Sequence, residues 1–176
     1  YDQWAELTGD SEWSWAASLD DFKAHEDHYS LDDSGDSLDP KIQERARLHG
    51  SGGEWRVEKQ RLRWEILEAY AKAAIQTGIP ATEDFNGGDN SGAGYFDVNQ
   101  RSGWRWNTSK AFLRPIKERP NLEIWTHAQV TKLNLITEAD EQKKCISVDV
   151  RSNGKDYTLD ARLEVLLSAG AIGSPQ

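Results

Sequence analysis

The chain has 176 residues, 37% of them hydrophobic, and a formal net charge of −9. A negative charge of this size disfavours binding to nucleic acid or to anionic membranes, because Lys and Arg supply most of the affinity for both. Eight tryptophans argue against disorder, and a single cysteine, Cys145, excludes an internal disulfide and a multi-cysteine zinc site. We therefore expect a folded chain with a modest core, in which Cys145 is a small buried side chain.

Helices and loops dominate the first part of the sequence. Ser14 is suited to cap the first predicted helix, and Gly78 followed by Pro80 marks the end of the second. Residues 30–40 are rich in Asp, Ser and Gly, which predicts a solvated loop. The predicted elements are helices at Trp13–His28 and Gln60–Thr77, short strands at Glu54–Val57 and Tyr95–Gln100, and a short helix capped by Asn107 or Thr108 and ending at Leu113.

Short β-rich runs replace helices in the last third of the chain. Polar turns separate the runs, and Asn153-Gly154 is a strong hairpin signal. The predicted strands are Leu122–Thr126, Gln129–Ile136, Cys145–Val150, Asp156–Leu159 and Glu164–Leu167. We therefore divide the chain into residues 1–121 and 122–176, and predict an α/β fold, or α+β if the chain is judged alone.

Two acidic runs invite a metal-site interpretation. His25-Glu26-Asp27-His28 could place two imidazoles on one helix face, although a charged helix end accounts for the same residues. Asp32-Asp33-Ser34-Gly35-Asp36 lacks the glycine and glutamate spacing of an EF-hand, so it is interpreted as a solvated loop. Neither a Gly-x-Gly-x-x-Gly fingerprint nor a Gly-Lys-Ser/Thr phosphate loop occurs in the sequence. No metal is predicted.

Aromatic residues and turns offer further candidates. Trp104 and Trp106 alternate around Arg105 and could line a pocket or serve only in packing. Asp84-Phe85-Asn86-Gly87 places polar groups beside an aromatic wall, or is a purely structural turn. The tryptophans and carboxylates also suit a carbohydrate cleft, and a glycosidase would require two carboxylates across that cleft.

A series of short blocks, in order along the whole chain, resembles the glucose-methanol-choline (GMC) oxidoreductase family and its bacterial choline-dehydrogenase-like branch. The blocks are Tyr1-Asp2-x-Trp4-Ala5, Leu19-x-x-Phe22-Lys23-x-x-Glu26, His49-Gly50-x-x-Gly53, Gly78-Ile79-Pro80, Asp84-Phe85-Asn86-Gly87, Gly92-x-Gly94-Tyr95, Arg105-Trp106, Ala111-Phe112-Leu113-x-Pro115, Arg119-Pro120-Asn121-Leu122 and Glu164 to Gln176. The sequence departs from the family pattern at Asp20 or Asp21 and at Glu54, where proline is usual, and at Asn107, where serine is usual.

The resemblance implies an FAD-dependent oxidoreductase that acts on CH–OH donors by hydride transfer to the flavin. It implies that Val130, Ser168, Ala169 and Gly170 lie beside the adenosine half of FAD. It places Asp84, Phe85, Asn86, Trp104 and Trp106 on the substrate side. The family's pyrophosphate-binding fingerprint and catalytic base are not found in this sequence, so His49 and His127 are not expected to be catalytic bases and no catalytic residue is assigned.

We accordingly expect an internal piece of a longer enzyme, inactive and without tightly held FAD when isolated. Residues 1–121 would supply part of the substrate-side region and connecting helices, and residues 122–176 strands of the FAD-binding domain. The expected partners are a small alcohol substrate and the remainder of the parent chain. No signal peptide or membrane-spanning run is visible, so the location is cytoplasmic or unassigned. The alternative is a non-catalytic, acidic, Trp-rich module that binds a carbohydrate or a protein.

Overall fold

The computed structural model describes residues 1–31, 40–139 and 141–175. The chain forms two compact units, Tyr1–Arg119 and Pro120–Gln176. Helices and strands are mixed, in agreement with the predicted class. The helices are α1 Asp2–Thr8, α2 Trp15–His25, α3 Pro40–Leu48, α4 Glu65–Gln76 and α5 Gly170–Gly173. The strands are β1 Glu26–His28, β2 Trp55–Val57, β3 Gln100–Arg101, β4 Trp104–Arg105, β5 Ala128–Thr137, β6 Lys143–Ser152 and β7 Lys155–Asp160.

Helix α2 confirms the predicted cap but ends earlier than predicted. The Ser14 hydroxyl accepts a hydrogen bond from the backbone N–H of Ala17 at 3.4 Å. The chain then becomes extended at Glu26 and runs parallel to β2, with Glu26 opposite Trp55. Strand pairing therefore satisfies backbone groups that a longer helix would have used.

Helix α4 is shorter than its sequence pattern. Gln60–Thr77 was predicted, but the helix covers Glu65–Gln76, because residues 61–64 have no regular secondary structure and the backbone of Trp64 at the N-cap is extended. Gly78 has a φ of 99°, which fits its predicted role as a glycine stop signal. Helix α3 was not predicted at all, although Pro40 at its first position is a common helix-start residue.

The segment after residue 94 pairs less than predicted. Val98 forms an isolated bridge with Glu58. Regular strand pairing begins at Gln100, where β3 forms a hairpin with β4. The predicted strand Tyr95–Gln100 is therefore wrong for most of its length. Ser109–Leu113 forms a π-helical turn, and the side-chain oxygen of Asn107 accepts from the Lys110 N–H at 3.0 Å, as the cap prediction required.

The second unit is an antiparallel meander in which β6 lies between β5 and β7. These strands confirm three of the five predicted runs. Asn153 and Gly154 both have positive φ, 50° and 75°, as a two-residue hairpin turn requires. The predicted strands Leu122–Thr126 and Glu164–Leu167 are wrong. Neither segment pairs with a neighbouring strand among the described residues, although the ring of Trp125 packs against that of Tyr157.

Burial is sparse in both units. Among the described residues, the buried apolar side chains are Leu31, Ala111 and Val150. Cys145 was expected to be a small buried side chain and is only half-buried. The loop predicted at residues 30–40 is described only at its ends, and Asp32–Asp36 lies outside the described residues. No helix in the described ranges is both long and apolar enough to cross a bilayer.

Candidate functional site

The first unit contains a buried network centred on His49, which is 3% exposed. Its Nδ1 lies 3.0 Å from Glu26 Oε2, and its Nε2 lies 2.9 Å from Asp84 Oδ2. Glu26 begins strand β1, His49 follows helix α3, and Asp84 belongs to the loop after helix α4. The imidazole thus connects three segments that are distant in sequence.

Glycines allow His49 to reach Glu26. The turn that follows His49 approaches the end of α2 so closely that a Cβ on Gly53 would lie 2.2 Å from the carbonyl carbon of His25. The Gly50 N–H donates to Glu26 Oε2 at 2.8 Å, and the Gly53 N–H donates to the Glu26 carbonyl at 3.1 Å. The backbone approach therefore places the Glu26 carboxylate directly at the imidazole.

A second imidazole extends the network. His28 is 2% exposed, and its ring centroid lies 4.0 Å from that of His49. Its Nδ1 lies 2.7 Å from Ser30 Oγ and its Nε2 lies 3.4 Å from Asp97 Oδ2. His25 takes no part, since its Nδ1 faces the Asp21 carbonyl at 2.7 Å. The sequence cluster at residues 25–28 therefore separates into different environments.

Ligand atoms of Glu26, His28 and His49 lie within 4.8 Å of one another. A metal would need ring nitrogens free to coordinate it, whereas all four nitrogens of the two imidazoles face protein groups. The two ring planes are tilted by 33°, with their centroids 4.0 Å apart. The arrangement is best described as an ion-pair network.

The charges of this network stabilise one another. Burial disfavours a charged imidazole, but hydrogen bonds to Glu26 and Asp84 outweigh burial and raise the pKa of His49 above its ordinary value. Burial likewise opposes charge on the two carboxyls, yet hydrogen bonds from His49 and from backbone N–H groups lower the pKa of both Glu26 and Asp84. His49 is therefore favoured as the imidazolium.

Asp84 also organises the predicted turn Asp84–Gly87, called here the Asp84 turn. Its Oδ1 accepts from the Asn86 N–H at 2.8 Å, while its Oδ2 faces His49. The ring of Phe85 stacks on that of Phe96, with centroids 4.3 Å apart. One carboxylate thus connects the buried imidazole with a turn that carries an aromatic side chain and an amide.

A cleft of about 380 Å³ opens beside this turn. Its polar lining consists mainly of carboxylates around the two basic groups, and includes Glu44, Arg45, His49, Glu83, Asp84 and Asp89. Arg45 is partly neutralised by Glu83 at 3.4 Å. The cleft therefore presents more negative than positive groups to a ligand.

The two tryptophans predicted on the substrate side have different environments. Trp104 lies on β4 and is 75% exposed. Trp106 donates from Nε1 to the Glu54 carbonyl at 2.7 Å, and the Arg101 guanidinium lies over its ring at 4.7 Å. Neither contributes to the cleft lined by His49. Trp106 is held by protein contacts, whereas most of the Trp104 side chain is exposed to solvent.

The predicted cofactor residues lie in the second unit. Val130 belongs to β5 opposite Val150, next to a register shift, and is 47% exposed. Ser168 and Ala169 are exposed and precede Gly170, whose φ is 88°, but no strand precedes them as predicted. A Cβ on Gly170 would meet nothing within 4 Å. These residues leave room for a ligand at their surface without forming a closed pocket around it.

Sequence reasoning missed the central part of this site. It identified Asp84, but treated Glu26 and His28 as one helix-end cluster and His49 only as part of a turn. The spacing of the glycines in His49-Gly50-x-x-Gly53 signalled that this turn could make a close backbone contact, but it did not show that the partner would be the end of α2.

Comparison with known proteins gives the relationship of the chain. The family model described as GMC oxidoreductase matches residues 1–176. The chain is 34% identical over 176 residues to an oxygen-dependent choline dehydrogenase of Staphylococcus saprophyticus and covers 28% of that protein. It is 31% identical over 179 aligned residues to an alcohol dehydrogenase [acceptor] of Pseudomonas putida and covers 29% of it. In both cases the whole chain is aligned.

Solved structures agree. A pyridoxine 4-oxidase from Mesorbium loti superposes with a TM-score of 0.76 and 28% identity, over 99% of this chain and 31% of that one. An FAD-dependent oxidoreductase from Chaetomium thermophilum, 22% identical with a TM-score of 0.75 over 99% of this chain and 30% of that one, shares the fold. The chain therefore belongs to the GMC oxidoreductase family.

Proposed function

We propose that this chain is part of an FAD-dependent enzyme that oxidises CH–OH donors by hydride transfer to the flavin. The family match over residues 1–176 is the observation that carries the proposal. Relatives aligned over the whole chain are named choline dehydrogenase and alcohol dehydrogenase. The chain spans less than a third of their length, so the activity is proposed for the full-length protein that contains it.

FAD, when bound, would accept the hydride. The residues of this chain proposed to lie along its adenosine half are Val130, Ser168, Ala169 and Gly170. The exposure of Val130 and the open space beside Gly170 support close approach of a ligand to the backbone. No glycine-rich phosphate loop occurs in the sequence, so the pyrophosphate would depend on other parts of the enzyme.

The residues proposed for the substrate side are Asp84, Phe85, Asn86, Trp104 and Trp106. The Asp84 turn is held firmly by its hydrogen bonds, which suits a wall that must keep its shape when substrate binds. The exposed ring of Trp104 offers apolar surface. Because these side chains contain no free base positioned for proton abstraction, we propose that they bind and orient the alcohol.

Isolated, the chain is expected neither to turn over alcohol nor to retain FAD. Large apolar side chains remain exposed on α1, α4 and the segment 162–172, including Leu7, Ile66, Tyr70, Leu163, Leu166 and Ile172. Surfaces of this kind normally mark contacts with other protein. We propose the remainder of the parent chain as the partner that covers them.

Flavin binding tests the proposal. The full-length protein should be purified beside the 176-residue chain, and the FAD released from each on denaturation should be quantified. We expect about one FAD per full-length protein and none retained at micromolar concentration by the chain alone. A colourless full-length protein that does not bind added FAD would refute the proposed function.

The alternative was a non-catalytic, Trp-rich binding module. Family membership gives this alternative no support. Glycan binding by the full-length protein without flavin would support this alternative. A glycan array probed with the flavin-free protein would detect such binding.

A further inference from the structure

We propose that His49 is a positioning residue: as an imidazolium between Glu26 and Asp84, it fixes the Asp84 turn to strand β1, and loss of its proton releases that turn. The charge state of His49 follows from the geometry alone. The consequence for substrate binding rests on the proposed function, because it assumes that the Asp84 turn faces the alcohol.

Hydrogen-bond chemistry supports the charged form. An ionised carboxylate only accepts hydrogen bonds, and a neutral imidazole has only one N–H to donate. Carboxylate oxygens face Nδ1 at 3.0 Å and Nε2 at 2.9 Å. A neutral ring would therefore direct a lone pair at one of the two carboxylates. An imidazolium donates to both, and the lowered pKa values of Glu26 and Asp84 keep both carboxyls ionised, so this arrangement favours the second proton on His49.

Burial makes the arrangement sensitive to that proton. The side chains of Glu26 and Asp84 are each 18% exposed and that of His49 is 3% exposed, so water compensates little for a lost hydrogen bond. Without the positive charge, two carboxylates would remain in a partly buried site with mutual repulsion. Release of the more weakly attached segment relieves this repulsion, and that segment is the loop that contains Asp84.

The other charged groups near His49 change the strength of its effect on the Asp84 turn but do not take over its role. The other titratable or charged groups facing this region are His28 on β1, Tyr29 after it, Glu44 and Arg45 on α3, Glu83 and Asp89 in the loop after α4, and Asp97. Arg45 is paired with Glu83 at 3.4 Å, and Asp97 is paired with His28 at 3.4 Å. Among the described residues, His49 hydrogen-bonds to both Glu26 on β1 and Asp84 in the turn, and His28 adds a smaller electrostatic attraction to each carboxylate.

Asp84 transmits the position of His49 to the turn. Its two oxygens have separate tasks, with Oδ2 at His49 and Oδ1 accepting from the Asn86 N–H at 2.8 Å. The Thr82 hydroxyl donates to the Asp84 carbonyl at 3.1 Å. A carboxylate released from His49 can rotate about its side-chain bonds, which weakens its hold on Asn86. The Phe85 ring would then lose its fixed position against Phe96.

The direction of the pH effect follows from the pKa shift. Since the pKa of His49 is raised by folding, its contribution is fully present below the ordinary histidine value of 6.5 and is lost as the pH rises through the raised value. The Asp84 turn should therefore be ordered below the raised pKa of His49 and should loosen as the pH rises through it.

Hydrogen exchange in the full-length protein tests this proposal. The substitution His49→Asn removes one of the two carboxylate contacts, and His127→Asn is the matched control at an exposed position. After correction for the chemical exchange rate, His49→Asn should accelerate exchange in residues 81–94 about tenfold at a pH below the ordinary histidine pKa of 6.5. Helix α4 should be unaffected in both variants. Unchanged exchange in residues 81–94 would overturn the proposal.

The pH profile provides the readout that a merely structural role would not change. Exchange in residues 81–94 of the unaltered protein should rise through a midpoint above the ordinary histidine pKa of 6.5, whereas His49→Asn should be fast at every pH. Asp84→Asn keeps an acceptor oxygen but removes a negative charge, so its midpoint should move to lower pH. A midpoint that Asp84→Asn leaves in place, or that persists in His49→Asn, contradicts the proposal. If His49→Asn does not fold, the Asp84→Asn midpoint decides.

Kinetics separate this proposal from the proposed function. With normal flavin content, His49→Asn should raise KM for the alcohol more than it lowers kcat. A protein that lacks flavin but shows the predicted exchange profile would refute the proposed function and retain the His49 network. A flavoenzyme whose KM does not respond to His49→Asn would overturn the substrate-side role of the turn.

Discussion

Gly50 lies so close to Lys23 that no side chain fits between them, since a Cβ on Gly50 would stand 1.9 Å from the Lys23 carbonyl oxygen. This contact joins the turn after His49 to helix α2. The Lys23 ammonium adds a second connection by donating to the Ala46 carbonyl at 2.7 Å. The position of His49 therefore depends on a backbone approach that only glycine permits.

Gly50→Ala should destabilise the protein by at least about 2 kcal/mol, because the backbone of α2 would have to move. The free energy of unfolding of the full-length protein in urea measures this. Gly9→Ala is the control, since Gly9 has a φ of 70° but open space around it, and the strain there should cost only about 1 kcal/mol. Equal costs at the two positions would contradict the close contact.

Acid should weaken the His49 network through its carboxyls. The folded pKa values of Glu26 and Asp84 are lowered, so their contribution is present above their ordinary pKa values and is lost as the pH falls through the lowered ones. Glu26→Gln should therefore reduce the loss of stability between neutral and acid pH. Urea unfolding at a series of pH values checks this, with Glu6→Gln as an exposed control. Identical acid sensitivity of Glu26→Gln and the unaltered protein would exclude the network as its source.

Trp104→Ala separates substrate contact from packing. The side chain is largely exposed, so its removal should change the free energy of unfolding by no more than about 0.5 kcal/mol. We expect KM for the alcohol to rise in the full-length enzyme, because the ring is proposed to lie on the substrate side. Glu118→Ala, at an exposed charged position of the same unit, should leave KM unchanged. The assignment of Trp104 fails if both variants have the same KM.

The β6–β7 hairpin depends on its two-residue turn. Gly154 has a φ of 75°, so Gly154→Val should cost about 1–2 kcal/mol. Asn153→Gly preserves the left-handed conformation and should be nearly neutral. Thermal unfolding of the full-length protein compares the two. A cost at Asn153 as large as that at Gly154 would contradict the turn geometry.

The sequence correctly predicted the helix cap, the helix end and the hairpin turn, which depend on interactions between neighbouring residues. Ser14 caps α2, Gly78 follows the end of α4, and Asn153-Gly154 forms the hairpin turn, because each depends on the backbone of a few neighbouring residues. The strands β5, β6 and β7 were also found, since each contains a local run of alternating apolar and polar residues bounded by turn residues.

Strand pairing between residues that are distant in sequence explains the errors in the predicted helices and strands. The end of α2 was missed because β2, some 30 residues later, pairs with Glu26–His28. Glu164–Leu167 has strand composition but no paired neighbour within the described chain. The link between Glu26 and His49 depends on the same tertiary approach, so no local pattern could reveal it. Recognition of the family depended instead on the order of short sequence blocks. That order does not change when the predicted helix and strand boundaries are wrong.

The visible absorption spectrum of the full-length protein, recorded without oxygen before and after addition of a primary or secondary alcohol, tests the central claim most directly. We expect an oxidised flavin spectrum that is bleached by the alcohol, more slowly when the carbinol hydrogen is replaced by deuterium. Bound flavin that no alcohol in a broad panel can reduce would contradict the proposed oxidation of CH–OH donors.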